Sequence, residues 1–563
     1  MTPTVLSLRG LRVESQGNRS KGDWMKRRYV PIALMAAISL ILLLHVSYLR
    51  FVCDDAFISF RYAKNFIQGH GLVYNIGERV EGYTNFLWTL LLSLFMKVGF
   101  DPVLVSQVLG VIFGLGTLFL LLRLNKKLYP EESLFNYLGP VFLVSCGAFA
   151  AWCTGGLETS FYTFLTFLGA FFFLSGLKEP RYFAFSGISF ALVCLTRLDG
   201  LIFAGVTFFF LCCLTLVGKR TGPRSLWAWS FAFGMPFLVY FVWRWHYYGA
   251  FLPNTFYVKA GGGGLMGQGL LYLLEFVRRF RIWLAVIPLA FLARRLTPGL
   301  KTIVIYFGFL ILVFGLYVAY VGGDFMDMFR FLVPVLPPFC FLVQEGFRSM
   351  YRFLHSPTGK ARRRSRVKST LPAAEVLLIG MGIFFLVHPS RESTGVWNRA
   401  GMDSIGLLRV YANVWSKAGL MFKSTTGPGE SLSTTAAGAI PYYSEMYTID
   451  ELGLTLRAHS HLKLRETVRA GHGKMVTVEY LLFRRPTYII GHPLILQTRQ
   501  LGGTLVVQDR DRALIRGGYH PLLVPVTVSD WDVKYLYCLS LEDSALEKLN
   551  ILKMGSGEGE NVK

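Results

Sequence analysis

Residues 29–49 read YVPIALMAAISLILLLHVSYL, and at 54–65 the chain turns to DDAFISFRYAKN. The first stretch carries no Asp, Glu, Lys or Arg, and 21 helical residues extend about 30 Å, the thickness of a bilayer's hydrocarbon core. The second stretch places two carboxylates, an arginine and a lysine where that span ends. Outward from this junction, apolar runs recur near 103–122, 134–152, 158–176, 182–197, 200–217, 225–245, 281–295, 301–320, 329–346 and 371–388. The pattern predicts a polytopic α-helical membrane protein of about eleven spans. A shorter run at 85–98 reads as a half-buried or juxtamembrane helix.

Composition agrees. Of 563 residues, 53% are hydrophobic and 16% charged, against about 25% charged in soluble domains. The formal charge of +24 is gathered before the first span (Lys26, Arg27, Arg28) and in the 362–368 cluster, as cytoplasmic retention of Lys and Arg requires. No stripe of basic and aromatic residues on a soluble module points to nucleic acid. The long basic leader and the lack of a small-residue cleavage site mark 29–49 as a retained anchor. Of eight cysteines, only Cys53 and Cys538 fall in segments read as external, so one disulfide is conceivable.

Lysine and arginine in the loops at 126–127, 178–181, 219–220, 294–295 and 362–368 fall on one side when eleven spans are counted. This gives a cytoplasmic basic N-terminus (1–28), a transmembrane domain (29–388) with outer loops 51–84 and 246–280, and a tail (389–563) outside the membrane. The tail joins an amphipathic helical stretch, 402–422, to β-prone runs such as Met446 to Ile449 and Thr504 to Gln508, a mixed α/β soluble domain with glycan binding as a candidate role.

In the first outer loop, helical spacing places Asp54, Arg61 and Lys64 on one face. Carboxylates there suit removal of a hydroxyl proton, and Arg or Lys suits a phosphate leaving group. Asp54 or Asp55 is therefore the candidate base, with capping of a helix start the bland alternative. The following GHGLVYNIGERVEGYTNFLW (69–88) offers Glu78, Glu81, Tyr83, Asn85 and Trp88 as sugar contacts, although Tyr83 and Trp88 also suit the interfacial aromatic belt. Arg197 and Asp199 interrupt an apolar region, where a charge needs a partner or a wet cavity. Asp324, Asp327 and Arg330 crowd the start of a later span. Lys259 follows Asn254 in the outer loop 246–280, beside the glycine run 261–264. The donor-phosphate set is then Arg61, Lys64, Arg197, Lys259 and Arg330, with Asn254 and Asp324 added to the substrate contacts. No metal-ligand spacing appears and no cofactor is required, although a divalent cation between an aspartate and a phosphate is compatible.

The first-loop motif DDAFISFRY, with GERVEGYTNFLW after it, resembles the terminal β-(1→2)-arabinofuranosyltransferase family of the GT-C glycosyltransferases. The resemblance continues through TRLDG (196–200), PNTFYVK (253–259), GDFMDMFR (323–330) and AGAIPYYS (437–444), and departs from the family pattern at Leu198, Leu456 and Gly473. It implies a multi-span GT-C-like enzyme of a bacterial inner membrane whose outer site takes a polyprenyl-phosphate sugar and glycosylates an envelope glycan or lipid-linked glycan. The first-loop aspartate is the base by that resemblance. A flippase or transporter of lipid-linked sugars fits the same charges, but the chain has no internal repeat of the kind transporters carry.

Overall fold

The computed structural model describes residues 21–130, 133–218, 221–259, 265–292, 296–355, 373–399, 401–457, 462–464, 473–493, 495–497, 508–529, 532–541 and 552–553. Of these, 21–28, Lys259, Ala374, Leu464, 495–497, Ser529, Asp532 and 552–553 are described by backbone alone. The basic cluster at 362–368, the glycine run 261–264 and most of the run at 504–508 lie outside the described residues.

The apolar runs fold as helices. In chain order these are α1 (Lys21–Leu49), α2 (Asp54–Ile67), α3 (Phe86–Lys97), α4 (Pro102–Leu128), α5 (Phe135–Ser145), α6 (Gly147–Ala151), α7 (Thr159–Gly176), α8 (Tyr182–Thr196), α9 (Gly200–Leu216) and α10 (Pro223–Tyr248). Then come α11 (Asn254–Lys259), α12 (Leu265–Arg279), α13 (Val286–Leu292), α14 (Pro298–Tyr320), α15 (Leu336–Leu354) and α16 (Ala373–Ser393). Five of them, over 29–49, 102–128, 159–176, 223–248 and 298–320, are long and apolar enough to cross a membrane.

The expected count of about eleven is not reached by that measure, for local reasons. Cys146 breaks the run 134–152 into α5 and α6. Arg281 in the left-handed region and a 3-10 turn, Ile282–Ala285, shorten the helix that ends in α13. A second 3-10 turn, Arg330–Val335, precedes α15, which carries Gln344, Glu345 and Arg348 on its buried side. The helix α3, with 12 residues, extends about 18 Å and is too short to span. The helix α16 runs on to Ser393, past the expected end of the spans at 388.

Close helix packing uses small residues, as in other membrane bundles. A Cβ on Gly187 of α8 would come within 2.5 Å of the Trp229 carbonyl of α10, and Ser186 accepts the Trp229 indole N–H at 3.2 Å. A polar network joins α4, α5 and α15. Asn125 and Gln344 exchange amide hydrogen bonds at 3.0 and 2.8 Å, and Arg348 donates to Asn136 at 2.8 Å and to Glu345 at 3.2 Å. Each polar group has a partner, as buried ones require.

The tail holds α17 (Ile405–Thr425), α18 (Ala439–Ser444), α19 (Val478–Arg484), α20 (Asp509–Arg516) and a mixed sheet. Among the described residues its main strand path runs Leu552–Lys553, His520–Ser529, Asp532–Ser540, Tyr488–Gly491, Ser431–Thr434, Tyr447–Asp450. The last three run parallel to one another and the rest pair antiparallel. Cys53 and Cys538 are separate buried thiols. Cys53 donates to the Gly155 carbonyl and Cys538 lies within the sheet, so the conceivable disulfide does not form.

The first outer loop is packed against this tail. Asn75 donates to the Thr448 carbonyl at 2.9 Å and accepts its N–H at 3.1 Å. The Tyr74 hydroxyl donates to Ala437 at 2.7 Å. The Asn254 amide donates to the carbonyls of Gly453, Leu454 and Leu456.

Candidate active site

The helix α2 starts after Cys53, whose extended backbone forms the N-cap without a side-chain bond. Asp54 and Asp55 occupy the first turn, where the helix dipole favours acids. Asp54 does not cap its own helix. Its carboxylate accepts the backbone N–H of Ala439 at 2.7 Å and of Gly438 at 3.1 Å, at the start of α18 in the tail. Burial, and secondarily Asp55, push the Asp54 carboxyl up to about 7 against the pull of those two N–H groups.

Asp55 belongs to another neighbourhood. It lies within Coulombic reach of Arg330 and of Cys53. One turn on, the Ser59 hydroxyl donates to the Asn85 side chain at 3.1 Å, and the Asn85 amide donates to Glu158 at 2.8 Å. Glu158 accepts from Arg197 at 2.9 Å, and Asp199 accepts from Arg197 at 2.8 Å and from the Tyr162 hydroxyl at 2.9 Å. Arg197 is thus held by two carboxylates.

Arg330 is presented by a strained turn. Met328 and Phe329 both take positive φ, 58° and 46°, a region that costs bulky residues of order 1–3 kcal/mol each. The turn is pinned to the short strand Met402–Asp403 at the start of the tail by the Asp327 N–H on the Asp403 carbonyl (3.0 Å) and the Asp403 N–H on the Phe325 carbonyl (2.8 Å). The Arg330 Nε donates to Asp324 at 2.8 Å, and its guanidinium lies over Trp152 and Phe331 at 5.5 and 5.2 Å. Among the described residues its two Nη groups have no hydrogen-bond partner. A small cavity is lined by Thr159, Tyr162, Arg197, Asp199, Phe314, Arg330, Phe331 and Pro334.

The structure therefore brings Asp55, Arg197, Asp199, Asp324 and Arg330 together and takes other expected residues elsewhere. Arg61 is not available to a phosphate. Its guanidinium, stacked on Tyr74, donates to the carbonyls of Tyr74 (2.7 Å), Pro441 (2.6 Å) and Met446 (2.7 Å) and to Asn75. Lys64 pairs with Glu445, which also accepts from Lys423 at 2.6 Å. Glu81 is buried in a two-pronged pair with Arg244, at 2.8 and 2.6 Å; desolvation pushes its carboxyl up, and Arg244 opposes this. Glu78 accepts from Tyr447 at 2.7 Å. Tyr83 shares a hydroxyl contact of 3.0 Å with Tyr248, and the buried Trp88 donates to the Gly156 carbonyl. Asn85 ties α2 to Glu158, and Asn254 holds the tail. Asp327 is paired with Arg279. Lys259 ends α11, with its side chain outside the described residues. Among the described residues, no three His, Cys, Asp or Glu side chains gather closely enough to hold a metal.

Glu158 and Tyr162 were not legible as site residues. Glu158 had a signal, since it is an acid between two apolar runs, the pattern that marks Arg197. Arg244 likewise stands alone near the end of a span.

Residues 408–538 match the family described as a domain of unknown function, DUF8728. The chain is similar to the terminal β-(1→2)-arabinofuranosyltransferase of Mycobacterium tuberculosis (strain ATCC 25618 / H37Rv), with 26% identity over 254 residues, 42% of this chain and 39% of the relative. To the enzyme of that name from Corynebacterium glutamicum it is 27% identical over 342 residues, 51% of this chain and 46% of the relative. The matches thus span less than half of each relative's own length. In structure it is similar to ArnT from Cupriavidus metallidurans bound to undecaprenyl phosphate, with a TM-score of 0.55 and 13% identity over 91% of this chain and 98% of that one. Apo ArnT from the same organism gives a TM-score of 0.53 at 12% identity, with the same coverage. The fold is that of the GT-C membrane enzymes with a C-terminal mixed-sheet region, and the resemblance in sequence to terminal arabinofuranosyltransferases holds.

Proposed function

We propose that this chain is a bacterial inner-membrane glycosyltransferase that moves a sugar, a pentofuranose such as arabinose, from a polyprenyl-phosphate donor to a cell-envelope glycan. Its N-terminus is cytoplasmic and its tail and site lie outside. The observation that carries this reading is the cavity where Arg330, whose Nη donors no described residue engages, lies within Coulombic reach of Asp55. A cation that meets the leaving phosphate and a carboxylate that takes the acceptor proton are the two groups that a single displacement needs.

In that displacement an acceptor hydroxyl attacks the anomeric carbon, its proton passes to an aspartate of α2, and the bond from that carbon to the phosphate oxygen breaks. The electron pair leaves on polyprenyl phosphate beside Arg330. Arg197, already bonded to Glu158 and Asp199, shapes the cavity and adds distant positive charge. Four acids (Asp55, Glu158, Asp199, Asp324) face two arginines here, so a divalent cation arriving with the donor phosphate would offset their charge.

The prenyl chain has a candidate apolar groove between α5, α13, α15 and α16, lined by Phe142, Ile282, Leu336, Phe339, Phe347 and Leu386 among others, together with Arg281. Leu336 directly follows the turn that starts at Arg330. What the ArnT neighbour binds, undecaprenyl phosphate, supports a donor of this class.

The test is incubation of the purified protein with polyprenyl-phosphate arabinofuranose and an oligosaccharide acceptor, with and without a chelator. Release of polyprenyl phosphate matched by glycosylated acceptor supports the proposal. Movement of intact donor across vesicle membranes without bond cleavage would replace it with a flippase.

A further inference from the structure

The helix α2 presents two faces to two different surroundings. Asp54, Phe57, Ile58, Arg61 and Lys64 recur at helical spacing, and each meets the tail. Asp54 accepts from Gly438 and Ala439, Phe57 lies 5.6 Å from the rings of Tyr442 and Tyr443, and Ile58 packs in a cluster with Ala437. Arg61 donates to Pro441 and Met446, and Lys64 pairs with Glu445. Asp55 and Ser59, four residues apart, share the other face. Ser59 leads through Asn85 to Glu158 and Arg197, and the Asp55 charge acts on Arg330 through space.

We propose that the adjacent acids divide the work: Asp55 takes the acceptor's proton, and Asp54 is a positioning residue that fastens the tail loop 436–439 over α2 and so fixes where the acceptor glycan meets the base. This rests on the reading that α2 carries the base. The tail loop is shaped for the contact. A Cβ on Gly438 would come within 1.9 Å of the Asp54 carbonyl oxygen and 2.6 Å of its carboxyl carbon, so only glycine permits the approach. Both Asp54 carboxylate oxygens are engaged by the tail backbone, and Asp55 lies on the other face of α2, with Ser59.

The test compares Asp54→Asn, Gly438→Ala and Asp55→Asn in the full chain, with two readouts. The first is transfer kinetics with polyprenyl-phosphate arabinofuranose and an oligosaccharide acceptor. The second is hydrogen exchange at the Gly438 and Ala439 amides. Asp55→Asn is expected to lower kcat by about 10²–10⁴-fold with both amides still protected. Asp54→Asn and Gly438→Ala are expected to speed exchange at the two amides about tenfold or more and to raise KM for the acceptor by a similar factor, leaving KM for the donor unchanged. Loss of kcat on Asp54→Asn equal to that of Asp55→Asn, with the amides still protected and acceptor KM unchanged, would overturn the division. So would fast exchange of both amides in the unaltered protein. If that protein exchanges slowly at both amides yet transfers no sugar, the glycosyltransferase reading fails while the contact stands.

Discussion

Replacing Arg330 separates a phosphate ligand from a structural staple. Arg330 and Asp324 are paired at 2.8 Å with side chains 11% and 3% exposed. Arg330→Gln alone leaves the Asp324 charge buried without its partner, a change that costs about 3–5 kcal/mol. Any loss of activity in that variant is therefore confounded by instability. Adding Asp324→Asn replaces the ion pair with two amides of similar size and removes the orphaned charge, so stability is expected to return to within about 1–1.5 kcal/mol of the starting protein. Activity is not expected to return. A lost cationic donor at a developing phosphate charge lowers kcat about 10²–10³-fold, or about 2.7–4 kcal/mol. Thermal unfolding in detergent and the rate of polyprenyl phosphate release, measured on single and double variants, give the two quantities. Recovery of both in the double variant would refute the assignment and make Arg330 a staple for the turn at 322–330.

Three further outcomes follow from contacts outside the cavity. Glu81→Gln leaves Arg244, 3% exposed in its side chain, without its carboxylate and is expected to lower stability by about 3–5 kcal/mol, while the donor KM of the remaining folded protein is unchanged. Asn254→Ala orphans three carbonyls at 453–456 and is expected to destabilise the tail contact by about 1–3 kcal/mol, read as faster protease cleavage in the tail. Raising pH weakens tail docking: Asp54 and Asp450 stand at about 7 and about 6, above their ordinary 3.8, in each case chiefly through burial. Acids held above their ordinary value contribute stability that is complete below about 4 and is lost as pH rises through about 7. Burial pushes the neighbouring Glu445 carboxyl up, and Lys423 and Lys64 together hold it below its ordinary value, the opposite direction to Asp54 and Asp450. Hydrogen exchange at 436–444, corrected for its intrinsic pH dependence, is expected to be slower at pH 5 than at pH 8; the reverse order contradicts the sign.

The helical spacing of 54–65 was legible, and Asp54, Arg61 and Lys64 do share a face. What the sequence could not supply is the partner of that face, because Pro441, Glu445 and Met446 lie almost four hundred residues away and loop pairing across such a distance leaves no periodic trace. Arg197 and Asp199 were recognisable as charges needing a reason, and the pairing with each other and with Glu158 is that reason. Glu81, Asn85 and Asn254 look like sugar contacts from residue type alone, since buried amides and carboxylates that knit loops together use the same side chains as those that bind glycans. The tail's mixed sheet follows the β-prone run at 446–449, where Tyr447–Asp450 forms a strand. The helix breaks at Cys146, Arg281 and Arg330 depend on tertiary packing and are invisible to hydropathy.

A structure of the protein with polyprenyl phosphate tests the central claim most directly. The phosphate is expected inside the cavity bounded by Arg197, Arg330 and Tyr162, with an oxygen about 2.7–2.9 Å from an Arg330 Nη and the Asp55 carboxylate facing the same space. A phosphate bound on another surface, with Arg330 still paired only to Asp324, would contradict it.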